Sequence, residues 1–589
     1  MQTKVNSNLI WADTFVKQLT SLGVKYACIS PGSRSTPLTY SLAVNKNIKC
    51  FVNIDERSSA FFALGLAKAI GIPTIIVTTS GTATAELYPA IVEAYQQRIP
   101  LIICTADRPP VLVGTGANQT INQYNLYRNH IRWFRDVGLP SVRENSLNYL
   151  QKVAFKAFKI SIGDRGPVHI NFPFAKPLEP FSYNDEINEK LLKIKPIRDT
   201  NKEKLNGKLV KDRRINKIAE IIMQYEKGLI IAGPMEYDEE TIKNIKVLSE
   251  MSKYPILADG VSHFRFKVSK AAKNIISNYH SFLLSGAFSK KYKPEFILHF
   301  GAAPTSTSLL NYLADCNAER YQVNEFGDLN DPSRNTKLTL NYPADLYSKT
   351  ILDLLDKENF SREKSNWFAS FTKAEKISKK VTSDFLAGND KLNEPKIISE
   401  LVKILQSKTN VFIGNSLPIR DFDYFSGTSS KLFYLFFNRG ASGIDGVVST
   451  ALGIAVIRKP TILVTGDLTF LHDLNALIMA KNNNIPLILV LINNNGGGIF
   501  QTLPISRQNK LLKEYFITPH NLNIDEIVQA FGIKYKSVKN KNELKNALKN
   551  LNIKAPVVLE IRTNANESAK LRKQIFKQVK IEIDKLLTG

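Results

Sequence analysis

The chain has 589 residues, too many for one hydrophobic core, and this length predicts about three to four domains. With 43% apolar and 22% charged residues, its composition is typical of a soluble globular protein. No apolar run approaches the roughly 18 to 20 residues of a membrane span, and the N-terminus lacks the apolar core and cleavage site of a signal peptide. These features predict a cytoplasmic protein without a membrane span.

The formal charge of +26 at pH 7 points first to a polyanionic partner such as nucleic acid. The lysines are spread along the chain, with concentrations at 190–214 and 570–585, and no nucleic-acid-binding module accompanies them. We therefore expect no nucleic-acid partner, although a basic cleft would favour acidic substrates. The cysteines show no CxxC spacing and are interpreted as buried thiols, neither disulfides nor metal ligands: Cys28, Cys50, Cys104 and Cys316.

The first third of the chain alternates strand and helix patterns. Apolar β-branched runs predict strands at 25–29, 74–78 and 101–105, and helical patterns lie between them at 58–69 and 84–95. This alternation is typical of a parallel sheet covered by helices on both faces. Polar or glycine-rich loops follow the strands at 30–36, 79–83 and 105–109, and we expect them to meet at one edge of the sheet and form one site.

Two further α/β regions follow the first. Stretches rich in lysine and other polar residues at 178–211 and 357–393 are predicted to be linkers. Together these features predict three doubly wound parallel-sheet domains, at 1–185, 205–355 and 390–589. The last domain is expected to end in an amphipathic helix at 570–587.

The segment 466–500 is predicted to be the centre of the functional site. Apolar runs at 461–465 and 487–492 flank a helical pattern, and Asp467 and Asn494 follow the two runs, 27 residues apart. A right-handed crossover would bring these two side chains together at the carboxyl edge of the sheet. Their oxygens and a backbone carbonyl near Gly496 are hard ligands that suit Mg²⁺. Glycine, asparagine and aspartate also dominate ordinary turns, so a purely structural loop is an equal alternative from spacing alone.

Glu56 is the candidate that the first region contributes. It lies just before the helix predicted at 58–69, where an acidic residue is more often a cap or a partner of the helix dipole. The following run of small and apolar residues, RSSAFFALGLAKA at 57–69, gives it a more specific context.

Within 466–500, Gly466-Asp467 and Asn493-Asn494 resemble the start and the end of the diphosphate anchor of thiamine-diphosphate enzymes. The segment 56–69 is similar to the glutamate segment of the same enzymes. With three α/β domains, the chain resembles the thiamine-diphosphate decarboxylase-like family. That resemblance implies a pyrimidine-binding, a central and a diphosphate-binding domain. It implies that Glu56 is catalytic and contacts the aminopyrimidine ring, with Mg²⁺ or Mn²⁺ on Asp467, Asn494 and Gly496. Further cofactor contacts are implied for Ile444 and Gly466.

Scattered strings narrow the resemblance to the menaquinone-pathway branch of that family: 30–37, 106–110, 116–123, 414–420, 438–446 and 493–500. The resemblance implies a transferase that decarboxylates 2-oxoglutarate and adds the resulting carbanion to isochorismate. Both substrates are dicarboxylates, which suits the forked guanidinium of arginine. The implied substrate residues are Ser33, Arg34, Arg108, Gln119, Ser416, Arg420, Arg439, Ile499 and Phe500. The family also implies a homodimer or homotetramer with active sites at the subunit interface.

One departure and two alternatives accompany this interpretation. The central loop 301–308 contains no basic residue, whereas better-known relatives carry one or two there, so only hydroxyls are left to contact a carboxylate. A sister enzyme, such as an acetohydroxyacid synthase or a 2-oxoacid decarboxylase, is the nearest alternative. A catalytically inactive binding protein with the same fold is the other.

Overall fold

A computed structural model describes residues 2–199, 212–269, 272–388 and 391–588. Three six-stranded sheets, each parallel throughout, dominate the described chain, and helices cover their faces. This architecture confirms the predicted α/β class with doubly wound sheets. The boundaries of the three predicted domains stay predictions.

The first region (2–199) contains the strands that carry Glu56 and the first arginine-bearing loops. Its sheet has the strand order β3-β2-β4-β5-β7-β6, and β4, β5 and β7 are buried along their whole length. The elements are β1 (Gln2–Val5), α1 (Ser7–Ser21), β2 (Tyr26–Ile29), α2 (Thr36–Val44), β3 (Lys49–Val52), α3 (Glu56–Ile70), β4 (Thr74–Thr78), α4 (Thr82–Glu86), α5 (Tyr88–Gln96), β5 (Leu101–Asp107), β6 (Trp133–Asp136), α6 (Glu144–Gly163), β7 (Pro167–Pro173) and β8 (Asp185–Asn188).

Three predictions for this region differ from the structure. Helix α3 begins at Glu56, two residues early, because Asp55 is the N-cap and accepts a hydrogen bond from the backbone N–H of Ser58. The helix predicted at 84–95 is divided into α4 and α5, and α5 starts with a proline in its first turn. The predicted linker at 178–211 contains β8, which pairs antiparallel with β1; its last part, 200–211, lies outside the described residues.

The central region (212–388) forms a sheet with the order β11-β10-β9-β12-β13-β14. Its elements are α7 (Arg213–Gln224), β9 (Gly228–Ala232), α8 (Glu239–Ser252), β10 (Ile256–Ala258), β11 (Ile275–Ile276), α9 (Tyr279–Phe282), α10 (Gly286–Lys291), β12 (Phe296–Phe300), α11 (Thr307–Ala314), β13 (Glu319–Val323), β14 (Thr336–Leu340), α12 (Ala344–Lys357) and α13 (Asn366–Ala387).

The prediction of a linker at 357–393 is wrong, because most of this stretch forms the 22-residue helix α13. Trp367, Phe371 and Ala374 are buried on one face, at the spacing of helical turns. The indole N–H of Trp367 also donates to the carbonyl of Gly228 at 2.7 Å. The lysines on the solvent face hide this apolar stripe in the composition, which is why the stretch resembled a linker.

The third region (391–588) carries the segment 466–500. Its sheet order, β16-β15-β17-β18-β20-β19, repeats the topology of the first sheet. The elements are α14 (Glu394–Ile404), β15 (Thr409–Ile413), α15 (Leu417–Phe425), β16 (Phe433–Phe436), α16 (Val447–Ile457), β17 (Thr461–Gly466), α17 (Asp467–His472), α18 (Ala476–Asn482), β18 (Leu487–Asn493), α19 (Asn509–Leu511), α20 (Ile524–Ala530), β19 (Lys534–Ser537), α21 (Lys541–Ala547), β20 (Val557–Arg562) and α22 (Ala565–Thr588).

The first and third regions pack through α3 and α16. A Cβ atom at Gly65 would lie 2.0 Å from the carbonyl oxygen of Thr450, and one at Gly453 would lie 2.2 Å from that of Phe62. Only glycine permits so close an approach of the two helix backbones. Buried residues on the facing sides of both regions therefore share one core cluster.

Two further findings concern the chain as a whole. All four cysteines are free thiols, three of them buried and Cys50 half-buried. Within the described ranges, no helix combines the length and the apolar character needed to cross a membrane.

Candidate active site

Asp467 lies where β17 ends, beside the end of the neighbouring strand β18. Its Oδ2 atom accepts hydrogen bonds from the backbone N–H groups of Asn494 at 3.2 Å and Gly496 at 2.9 Å. Its Oδ1 atom accepts one from Leu468 at 2.7 Å. The parallel crossover thus brings together the two strand ends that the sequence pattern placed at one edge. Burial raises the pKa of Asp467, and the Gly496 N–H opposes that rise.

The two polar atoms of the Asn494 side-chain amide have different surroundings. Its Nδ2 atom donates to Oε1 of Glu394 at 2.7 Å, whereas its Oδ1 atom is buried and has no hydrogen-bond partner among the described residues. A buried carbonyl oxygen without a partner is costly in a folded protein and calls for a ligand, an ion or a water. Beside the Asp467 carboxylate, this oxygen fits the donor set of a hard divalent cation.

Gly496 keeps the loop after β18 close to the following segment. It has φ of +136°, and a Cβ atom would lie 2.2 Å from the carbonyl oxygen of Ile517. The N–H of Gly497 donates to that carbonyl at 2.7 Å. Any other residue at 496 would displace the loop, so its backbone position depends on glycine.

Two residues lie close to this loop, and the sequence motifs indicated only one of them. His520, which no motif singled out, lies with Nε2 at 3.4 Å from Oδ2 of Asp467. Phe500, which was singled out, is half-buried in a short helical turn after the loop and packs edge-on against Phe516 with ring centres 5.3 Å apart. Ile499 lies next to it and is also half-buried.

Glu56 is the first residue of α3 and is half-buried. Burial raises the pKa of its carboxyl, a backbone hydrogen bond opposes that rise, and the nearby carboxylates of Asp55 and Glu86 add to it. A carboxyl group with a raised pKa is suited to share or transfer a proton near neutral pH.

The start of α3 is fixed against the third region of the same chain. Three hydrogen bonds reach the turn between α17 and α18: Asn475 donates to Asp55 at 2.7 Å, Arg57 donates to the carbonyl of His472 at 2.9 Å, and Ser58 donates to Asp473 at 3.1 Å. The helix that begins with Glu56 is therefore held directly by the segment that follows Asp467.

Arg34 and Arg108 form an arginine pair in the first region. Arg34 is buried and donates from Nη1 to the carbonyl of Phe174 at 2.7 Å. Its pKa is lowered, first by burial and then by Arg108, while Asp107 opposes the change. The Nε atoms of both arginines are buried without a hydrogen-bond partner among the described residues. Two guanidinium groups with unused donors have the chemistry that binds an anion.

Arg420 and Arg439 form a second pair in the third region. Arg420 donates from Nη1 to the carbonyl of Ser416 at 2.7 Å, which fixes it against the start of α15. Its pKa is lowered mainly by burial, with Tyr424 opposing and Arg439 adding to the effect. Ser416 has φ of +70°, a strained turn directly after β15.

Ser33 and Gln119, the remaining predicted substrate contacts, are both exposed. Gln119 has φ of +55°, and its carbonyl accepts a hydrogen bond from Ser80 at 2.8 Å. The loop 116–123 is thus joined to the loop that follows β4, which places Gln119 at the same sheet edge as Arg108.

The loop that carries Arg439 and Ile444 is held by two first-region residues that the sequence analysis missed. Lys68 donates to the carbonyl of Phe437 and to Oδ1 of Asn438. Glu93 accepts from the backbone N–H groups of Gly440 at 2.9 Å, Ala441 at 2.7 Å and Ser442 at 3.3 Å. No local pattern marks either residue, because the contacts join positions more than 340 residues apart.

The central loop 301–308 does not leave its serine hydroxyls available. Ser306 and Ser308 are buried, and both lie within hydrogen-bond distance of Nδ1 of His280, at 2.8 and 3.1 Å. The hydroxyls of Ser306 and Ser308 are therefore bonded within the central region, whereas Oγ1 of Thr305 is buried without a hydrogen-bond partner among the described residues.

Family profiles match the chain in three parts. Residues 11–126 match the N-terminal TPP binding domain of thiamine pyrophosphate enzymes, 200–413 the middle domain, and 428–561 the C-terminal TPP binding domain. These matches show a thiamine pyrophosphate enzyme, with binding domains that contain Glu56 at one end and the 466–500 segment at the other.

Relatives that match over their full length identify the family more narrowly than the domain profiles do. A protein of Bacillus cytotoxicus is 35% identical over 595 residues, covering 100% of both chains. One of Haloarcula marismortui is 33% identical, covering 98% of this chain and 99% of the relative, and one of Gloeothece citriformis is 36% identical, covering 95% and 96%. All three are named 2-succinyl-5-enolpyruvyl-6-hydroxy-3-cyclohexene-1-carboxylate synthase. With these relatives and the three matched domains, the chain belongs to the 2-succinyl-5-enolpyruvyl-6-hydroxy-3-cyclohexene-1-carboxylate synthase family of thiamine pyrophosphate enzymes.

Proposed function

We propose that this chain uses thiamine diphosphate to decarboxylate 2-oxoglutarate and to join the resulting four-carbon unit to isochorismate. The products are 2-succinyl-5-enolpyruvyl-6-hydroxy-3-cyclohexene-1-carboxylate and CO₂, in menaquinone biosynthesis. The observation that carries this proposal is the presence of two arginine pairs on strand-end loops of a thiamine pyrophosphate enzyme. Each substrate has two carboxylates, and the pairs offer the cations to bind them.

The diphosphate and its metal are assigned to the third region. Asp467, Asn494 and the carbonyl of Gly496 would hold Mg²⁺, or Mn²⁺ in its place, and Gly466 would approach the diphosphate. Support comes from the unpartnered Oδ1 atom of Asn494 beside the buried Asp467 carboxylate. Mg²⁺ characteristically combines one or two protein oxygens with phosphate oxygens and water.

Glu56 and Ile444 are assigned to the cofactor ring. When bound, thiamine diphosphate supplies the nucleophilic carbon and accepts the electrons released by decarboxylation. Glu56 would hydrogen-bond the aminopyrimidine ring and hold a proton at its carboxyl, which its raised pKa favours. Ile444 would support the cofactor from a loop that Lys68 and Glu93 fix in place.

The substrate carboxylates are assigned to the arginines. The unused Nε donors of Arg34 and Arg108 support binding of one carboxylate in the first region. Arg420 and Arg439 would bind another in the third region, with Ser33, Gln119 and Ser416 adding polar contacts. Ile499 and Phe500 would form an apolar wall that excludes water from the reacting carbon atoms.

A homodimer or a homotetramer is part of the proposal. Three apolar side chains beside the predicted site are largely exposed: Val52 by 58%, Ile54 by 65% and Val111 by 79%. Exposed apolar residues of this size beside a site favour a subunit interface. Sedimentation of the purified protein tests this, and a fully active monomer would contradict it. A cytoplasmic location stays a prediction.

Product analysis tests the reaction itself. The protein is incubated with thiamine diphosphate, Mg²⁺, isochorismate and uniformly ¹³C-labelled 2-oxoglutarate. We expect an adduct that carries four labelled carbons, with the fifth recovered as CO₂. Turnover of labelled pyruvate in place of 2-oxoglutarate would indicate a sister enzyme, and bound cofactor without turnover of either acid would indicate an inactive binding protein.

A further inference from the structure

We propose that Glu394 is a positioning residue that fixes the orientation of the Asn494 carboxamide, so that Nδ2 is bound to Glu394 and Oδ1 is left for a metal ion. The proposal rests on the metal site of the proposed function and extends it to residues outside the family motifs. Glu394 is the first residue of α14 and is 2% exposed.

The chemistry of the Glu394 side chain determines the amide orientation. Its Oε1 atom accepts from Nδ2 of Asn494 at 2.7 Å and from the Thr563 hydroxyl at 3.4 Å. A carboxyl oxygen in this position accepts, so Asn494 directs its NH₂ group toward Glu394. The amide oxygen then necessarily points to the other side, where it has no partner among the described residues.

Arg572 on α22 keeps Glu394 in place. The guanidinium donates to Oε2 of Glu394 and forms a fork with Asp421, from Nε to Oδ1 at 2.7 Å and from Nη2 to Oδ2 at 2.5 Å. All three residues of this cluster are at least 95% buried. The arginine between the two carboxyl groups donates to both and so holds the Glu394 side chain in place.

The same cluster joins two parts of the candidate site. Asp421 follows Arg420 on α15, and Glu394 contacts the predicted metal ligand Asn494. The Arg572 guanidinium therefore connects helix α15, which carries Arg420, with the side chain that orients the predicted metal ligand Asn494. Residues behind a metal ligand orient it in this way in many proteins.

Helix α14 also offers a matched control. Glu400 is 3% exposed and pairs with Lys403 at 2.8 Å and Lys541 at 3.0 Å. It shares the helix, the burial and the ion pairing of Glu394 but contacts none of the predicted cofactor residues. If only a loss of stability matters, Glu394→Gln and Glu400→Gln should change cofactor binding alike. If the amide orientation of Asn494 matters, only Glu394→Gln should change it.

The experiment measures how thiamine diphosphate binding depends on Mg²⁺, using calorimetry on cofactor-free protein. A glutamine at 394 has both a donor and an acceptor, and it leaves either amide orientation of Asn494 allowed. We expect Glu394→Gln to need roughly 10- to 100-fold more Mg²⁺ for half-maximal binding, as for other residues behind metal ligands. Excess Mg²⁺ should restore full binding, and Glu400→Gln should match wild type.

A Mg²⁺ requirement unchanged in Glu394→Gln would overturn the proposal. Glu394→Asp provides the second variant if Glu394→Gln does not fold, because it keeps the charge opposite Arg572 but withdraws the acceptor from Asn494. An aspartate variant with the wild-type Mg²⁺ requirement would overturn the proposal as well. Failure of the wild-type protein to bind thiamine diphosphate with Mg²⁺ would instead reject the proposed cofactor site.

Discussion

Glu93 of the first region accepts a hydrogen bond from the backbone N–H of Ala441 in the third region at 2.7 Å. The same carboxylate also accepts from Gly440 and Ser442, so one buried side chain holds three consecutive N–H groups. These are the residues between Arg439 and Ile444. The loop proposed to bind both cofactor and substrate is thus positioned by helix α5 of the first region of the same chain.

Glu93→Gln should loosen this loop. Glutamine has one acceptor oxygen and places an NH₂ group against backbone donors, which leaves partly buried N–H groups unsatisfied, at a cost of at most about 1–3 kcal/mol. We expect a lower urea midpoint and weaker binding of thiamine diphosphate. Glu220→Gln, at an exposed site on α7, is the control. Equal midpoints and equal cofactor affinities in the two variants would show that Glu93 has no such role.

Gly65→Ala should disturb the contact between α3 and α16. The new Cβ would lie 2.0 Å from the Thr450 carbonyl, so the helices must separate, at a cost of roughly 1–3 kcal/mol. Gly163→Ala in α6 is the matched control, because a Cβ there meets nothing within 4 Å. That change should be neutral or stabilise by about 0.5–1 kcal/mol. Thermal unfolding of both variants checks the difference, and equal stabilities would contradict the close helix contact.

Asp473 predicts a pH dependence of stability. Burial, opposed by hydrogen bonds from Ser449 and Ser58, raises its pKa from 3.8 to about 6. The folded state therefore binds a proton at Asp473 more tightly than the unfolded state does. The stability that this proton binding contributes is complete below pH 3.8 and is lost as pH rises through about 6. The slope of this loss is up to roughly 1.4 kcal/mol per pH unit.

The comparison of wild type with Asp473→Asn isolates this effect. Between pH 4 and about 6, the free energy of unfolding of wild type should fall with rising pH relative to that of the variant. Above this range the two curves should run parallel. Urea titrations at several pH values provide the measurement, and parallel curves throughout would show that Asp473 has an ordinary pKa.

Asp467→Asn should abolish metal-dependent cofactor binding. The variant keeps a side-chain oxygen for the backbone N–H of Gly496 but removes the negative charge proposed to face the cation. We expect the affinity for Mg²⁺ with thiamine diphosphate to fall by more than about 100-fold, beyond the effect of residues behind the ligands.

Chelation provides the complementary test of the metal. Treatment of wild type with a chelator should remove activity, and Mg²⁺ or Mn²⁺ should restore it. Activity that survives chelation, together with normal calorimetric binding by Asp467→Asn, would refute the proposed metal site.

The sequence predicted the fold class and the meeting of Asp467 with Asn494, because both depend on local patterns. Strand and helix periodicities are short-range, and a right-handed parallel crossover leaves few arrangements for the two strand ends. Helix α13 was missed because its lysine-rich face outweighed a buried stripe that begins at Trp367. Strand β8 was missed because its partner, β1, lies at least 180 residues away.

The residues that support the site could not be predicted in this way. Glu93 contacts Gly440 across 347 positions, and Arg572 contacts Glu394 across 178. Neither glutamate lies in a recognisable motif, and each resembles an ordinary helix residue in sequence. Their significance depends on tertiary contacts that local spacing does not encode.

Release of CO₂ from 2-oxoglutarate, measured with and without isochorismate, is the most direct test of the central claim. With thiamine diphosphate and Mg²⁺ present, we predict rapid release only when isochorismate is added, in equal amount to the adduct formed. Glu56→Gln should lose this release while Glu220→Gln keeps it. Release that is independent of isochorismate, a preference for pyruvate, or full activity in Glu56→Gln would contradict the account.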